Sequence, residues 1–134
     1  MKLRIVLATA IGVCFILTSC EKKSDQLKRE VLAIHDELMP DWPRLDKMRI
    51  EIGDMADSNH LATRSKEILD VKTQLKQAYD FMDDWMTNFQ APDKTVDESI
   101  KVAFYQEQLL LLDSMRSVMN KAKSSGVLMI ESLK

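Results

Sequence analysis

Glycine and proline are scarce in this chain, three of each in 134 residues, and cysteine occurs twice, at positions 14 and 20. So few breakers, with no run of alternating β-branched residues, argues against a strand-rich fold with its many turns. Charge of one sign is also missing. Nineteen basic residues stand against twenty-one acidic ones, and no Lys/Arg block emerges from its acidic neighbours. That balance excludes nucleic acid as the expected partner. The signatures of catalysis are absent as well. There is no glycine-rich phosphate loop, no Gly-x-Ser-x-Gly elbow, no His-Glu-x-x-His and no Cys-x-x-Cys-His. The chain is therefore expected not to be an enzyme. Its one Asp-x-x-His, Asp57 to His60, is single and falls in a predicted loop, whereas a di-iron bundle needs Glu-x-x-His on two core helices. The acid pairs Asp36/Glu37 and Asp83/Asp84 are adjacent in sequence, so on a helix they point apart and read as solvated surface.

What is present begins with Lys2 and Arg4, followed by an uncharged apolar stretch from Ile5 to Leu17. At about 13 residues it is shorter than the roughly 20 a membrane-crossing helix needs. Small residues then lead to Cys20, and Glu21-Lys22-Lys23 turns polar. This is the order of a secretory signal peptide, residues 1–19. Leu17-Thr18-Ser19-Cys20 resembles the lipobox of bacterial lipoproteins, which implies diacylglycerol on Cys20 and a lipid anchor in the cell envelope. Glu21 rather than Asp after the cysteine leans, by that resemblance, towards the outer membrane; whether the domain faces the periplasm or the outside is open. On this reading Cys14 leaves with the signal and Cys20 is consumed by lipid. Residues 1–19 carry two bases and no acid, so their removal takes the formal charge from −2 to −4. The remaining 115 residues suffice for one domain.

That remainder is rich in Leu, Met, Ala, Lys, Glu and Gln, the strong helix formers, and an all-α fold is expected. After a lipidated N-terminus and short linker at 20–24, one helical unit fills 25–134. The first helix, about 25–57, opens at Ser24 and carries the stripe Leu27, Val31, Ile34, Leu38, Leu45, Met48, Ile52, Met55. The phase survives Pro40 and Pro43, which predicts one helix kinked there. The second, about 61–90, shows Leu61, Ile68, Val71, Leu75, Ala78, Met82, Trp85, Phe89. Thr95-Val96-Asp97-Glu98 reads as a capping box opening the third, about 95–124, with Ile100, Phe104, Leu111, Met115, Val118 and Ala122 as its stripe and Gln108 as a polar interruption. Ser124-Ser125-Gly126 either stops it or lets it run on through an extension at 125–134. Short links between long helices predict an up-down-up three-helix bundle, a rod about 45 Å or more in length. About four residues from Cys20 to the first helix, a reach of roughly 14 Å, would hold one end of the rod near the membrane.

Two constellations are candidates for function. His35/Met39 and Met82/Met86 are each four apart, hence on one helix face, and the bundle brings them to similar heights. Thioether with imidazole suits Cu(I), or haem iron, although methionine in such stripes also serves as flexible core filler. The other is a contact surface. Trp42 lies between the two prolines with Asp36 a few residues before them, and Leu109-Leu110-Leu111-Leu112 covers every side of a helix. Leu109 or Leu112 is then left for a partner, a second copy or a returning chain end.

The segments Val31–Pro40, reading VLAIHDELMP, and Met82–Phe89, reading MDDWMTNF, resemble a set of small Bacteroidota lipoproteins often labelled viral A-type inclusion proteins. The resemblance covers most of the chain after Cys20. It implies a helical, lipid-anchored protein with no established activity, and it sets His35-Asp36-Glu37 beside Trp85-Met86 as segments to compare. The expected role is a non-enzymatic binding or structural module of the envelope, with a small metal- or haem-binding protein as the alternative.

Overall fold

The computed structural model describes residues 21–58 and 62–134, and every regular element in them is helical. α1 spans Lys23–Leu38, α2 Trp42–Ser58, α3 Ser65–Asn88 and α4 Glu98–Ser132, with a short 3-10 turn at Ala62–Arg64. α4 packs on α1, α2 and α3, and α2 also packs on α3. The all-helical class is as expected. The apolar leader 1–19, Cys20, and the polar stop at Asn59-His60 with Leu61 lie outside the described residues.

The single kinked helix expected over 25–57 is instead two helices, and the prolines explain why. Met39 N–H still donates to His35 O at 3.0 Å, but Pro40 has no N–H to continue the ladder. Asp41 N–H turns back to Leu38 O at 3.0 Å. The Asp41 carbonyl then becomes the first acceptor of α2, taking Arg44 N–H at 3.0 Å and Leu45 N–H at 3.2 Å. Pro43 sits in the first turn of α2, where no intrahelical donor is required. The phase does carry across the break: Val31, Leu38, Leu45 and Ile52, seven apart, are all buried.

Both expected helix starts shift for one reason. α1 opens at Lys23 with no side-chain cap, because Ser24 is turned inward. Its N–H donates to Glu98 Oε1 at 3.0 Å and its hydroxyl to Glu98 Oε2 at 2.9 Å. Glu98 is thus engaged with α1 and does not reach back to Thr95, as a capping box would require. The cap of α4 is Asp97, whose Oδ1 accepts Ser99 N–H at 2.8 Å. Thr95 donates its N–H and hydroxyl to Asp93 Oδ1, each at 2.9 Å, closing the turn before it.

α4 does not stop near residue 124 but runs to Ser132. Gly126 is helical and buried, and a Cβ there would lie 2.6 Å from Met48 Cε and 3.2 Å from Leu75 Cδ2. The missing side chain is what lets α2 and α3 close on α4 at this level. The inward face of α4 is Tyr105, Gln108, Leu112, Met115, Met119, Ala122, Gly126, Met129 and Leu133, a strict seven-residue repeat. The stripe expected from sequence was mixed: Met115 and Ala122 are core, whereas Ile100, Leu111 and Val118 are exposed. Four leucines in a row fit two phases equally well, and packing around Gly126 selects one of them.

Candidate docking face on helix four

The His/Met constellation is only partly assembled. The His35 ring packs on Trp85 with centroids 5.4 Å apart, and its Nδ1 lies 3.0 Å from Asp36 Oδ1. The segments carrying His35 and Trp85-Met86 therefore do meet. Met82, however, is fully buried among the core side chains, while Met86 and Met39 are half-buried. A ligand bridging His35 to the Met82 sulfur would have to open the core. Among the described residues no three His, Cys, Asp or Glu side chains gather as a metal site.

Trp42 is held rather than offered. Its indole stacks on Tyr79 at 4.9 Å and 16°, and its Nε1 donates to the Tyr79 carbonyl at 3.2 Å. It thereby ties the start of α2 to α3. Asp36 is exposed, as a contact residue should be. Of the leucine run, Leu112 is fully buried and Leu109 packs half-buried against the core, so neither is the outward position. Leu112 belongs to the inward face of α4, and Leu109 flanks it. The outward ones are Leu110, 70% exposed, and Leu111. The seven-residue phase of α4, once fixed, would have distinguished them.

Among the described residues, six of the nine exposed large apolar side chains lie on α4: Ile100, Leu110, Leu111, Val118, Val127 and Leu128. The others, Leu32, Ile50 and Leu69, are scattered singly over α1, α2 and α3, which is ordinary for a surface. Concentration on one helix is not ordinary, and marks α4 as the face to examine. Its flank towards α3 is grooved. A cleft of about 370 Å³ is lined by Phe81, Trp85 and Phe89 of α3 and its end, and by Phe104, Gln108 and Leu111 of α4. A second, of about 270 Å³, continues between Gln74 and Gln77 of α3 and Val118 and Lys121 of α4.

Aromatic rings form the cleft floor. Trp85, Phe89, Phe104 and Tyr105 follow one another in ring contact, with centroids between 4.8 and 5.9 Å. Gln108, the polar interruption of the α4 stripe, accepts a buried hydrogen bond from Trp85 Nε1 at 2.9 Å. An apolar residue there would leave that donor without water or partner. Burial pushes the nearby Tyr105 hydroxyl above its usual pKa.

Charges on α4 divide by side. Arg116 donates to Glu37 of α1 at 2.8 Å and also pairs with Asp113, while Lys123 pairs with the half-buried Asp41 between α1 and α2. On the outward side, Glu107 and Lys121 are exposed and make no ion pair among the described residues. The arrangement offers an apolar strip with a few unneutralised charges and no assembled acid, base or nucleophile.

Comparison with protein-family models, with curated proteins and with solved structures gave no match. Among the described residues, no helix is long and apolar enough to cross a membrane.

Proposed function

We propose that this chain is a lipid-anchored envelope protein without enzymatic activity, which works by docking another chain on the outward side of α4. The observation that carries the docking half is the concentration of exposed apolar side chains on that one helix. The anchoring half rests on the Leu17–Cys20 lipobox after a basic, apolar leader. On this reading acyl chains on Cys20 hold the protein to the outer membrane, and residues 21 onward form the exposed part.

The up-down-up arrangement belongs to the same proposal. α1 and α2 together form one bar running parallel to α4, supported by the pairs Ser24–Glu98, Glu37–Arg116 and Asp41–Lys123, which advance along both in step. α3 runs the other way, supported by Arg64 at Ser132 and Trp85 at Gln108. The lipid would then sit at the end holding the starts of α1 and α4.

Two readouts in producing cells test the two halves. A palmitate analogue should label the wild type and not Cys20→Ala, and that variant should leave the membrane fraction. Labelling that persists without Cys20 would refute the anchor. A photoreactive residue at Leu110 should give one discrete adduct, absent when the same residue stands at the exposed Glu51 of α2. Equal labelling at both positions would refute a dedicated face.

A further inference from the structure

The outward side of α4 carries its own order. Its inward residues repeat every seven, so any other seven-residue series stays at a constant angle to the core. One such series is Ile100, Glu107, Ser114, Lys121, Leu128, and all five are exposed. It reads nearly the same in both directions from its centre. Ile100 and Leu128 lie fourteen residues either side of Ser114, and Glu107 and Lys121 seven either side, with opposite charges.

From this pattern we propose that the partner of the α4 face is a second copy of the same chain, packed antiparallel about a two-fold axis beside Ser114. This deepens the docking reading above and rests on it. In that pair Glu107 of each copy comes within reach of Lys121 of the other, and Ile100 meets Leu128. The small Ser114 at the axis lets the helices approach. Leu111 and Val118, on the flank towards the α3 clefts, also fall symmetrically enough to close over each other. A two-fold contact requires one patch complementary to itself, and this stripe has that property.

Charge fixes the direction. A parallel pair would set Glu107 against Glu107 and Lys121 against Lys121, whereas the antiparallel pair neutralises both, neither of which has an ion-pair partner among the described residues. A single helix partner of another protein would need no symmetry about Ser114 at all. One consequence concerns the membrane. The starts of α4 in the two copies would be roughly 48 Å apart, at 1.5 Å per residue. With α1 starting beside α4, two lipid anchors would sit at opposite ends, and the dimer would lie flat on the bilayer with its two-fold axis upright.

The test uses the full-length protein in detergent, with mass followed by native mass spectrometry over a dilution series. Wild type should be a dimer. Glu107→Lys and Lys121→Glu should each raise the dissociation constant about tenfold or more, since each turns two attractions into two repulsions. The double reversal should restore wild-type association. Unchanged helical circular dichroism, expected at exposed positions, would exclude misfolding as the cause. A wild-type monomer at all concentrations would overturn self-pairing, and the Leu110 adduct would then show by its mass whether a different chain docks there. A dimer indifferent to both reversals, or not rescued by the double change, would overturn this interface.

Discussion

The two sides of α4 face different problems with similar residues. Towards the other helices its charges, Arg116 and Lys123, are answered within the chain by Glu37 and Asp41, and the missing side chain of Gly126 admits Met48 of α2 and Leu75 of α3. Away from them Glu107 and Lys121 have no ion-pair partner among the described residues, and a strip of leucine, isoleucine and valine stands exposed. One side is complementary to its own fold, and the other is the side we propose to be complementary to a second copy. The difference shows how a helix can be read twice: once for the core that fixes its phase, and once for what that phase leaves outside.

The comparison breaks most visibly in the core. Leu45→Ala, at a fully buried position of α2, should cost about 2–5 kcal/mol of folding stability in urea melts. Gly126→Leu should cost roughly 1–3 kcal/mol, since Met48 and Leu75 already occupy that space. A stabilised variant would show that the close approach of α2 and α3 to α4 is looser than described. Gln108→Leu should also cost about 1–3 kcal/mol by stranding Trp85 Nε1. Adding Trp85→Phe to it should recover part of that loss, because the unpaired donor is then gone.

On the outward side the same measurement should barely move. Leu128→Ala should change monomer stability by less than about 0.5 kcal/mol, as an exposed position does, while weakening association. A loss comparable to that of Leu45→Ala would mean that the outer strip belongs to the fold and not to a partner. The smallest effect is the pH response of the tie between α1 and α4. Hydrogen bonds from the Ser24 N–H and hydroxyl hold the Glu98 carboxyl below its usual pKa. Its folded value is depressed, so the stability it contributes is full above about pH 4.3, the ordinary glutamate value. It is lost as pH falls through the lower folded value. Glu98→Gln should therefore flatten the acid limb of the stability curve slightly. An unchanged limb would remove the tie from the account.

Much of this was legible in the residues. The heptad spacing of α3 located Leu75, Ala78, Met82 and Trp85 in the core, and the phase linking Leu38 to Leu45 survived two prolines, as the spacing required. The prolines break the helix outright, beyond the kink that side-chain phase predicts. Missing donors at Pro40 end a helix even when side-chain phase continues, and the turn at Asp41 is a backbone event that periodicity does not register. The α4 stripe was misplaced because the Leu109–Leu112 run is apolar on every side, so its phase is decided only by neighbours such as Met48 and Leu75 at Gly126. That error hid the face that matters: Leu112 belongs to the core, and the outward series through Ser114 appears only once the inward one is fixed. Ser24, where the first helix is expected to open, is tied instead to Glu98, which is far away in sequence and close only in the fold.

Direction is what the account stakes most on, and a single engineered thiol reads it. In cells producing the full-length protein, Ser114→Cys treated with a short bismaleimide should give a cross-linked dimer. Leu128→Cys should not, because the antiparallel pair holds its two copies roughly 42 Å apart at 1.5 Å per residue. Joining Ile100→Cys with Leu128→Cys in one chain should bring the dimer band back. Cross-linking at Leu128→Cys alone with the efficiency of Ser114→Cys, or none at Ser114→Cys, would contradict it.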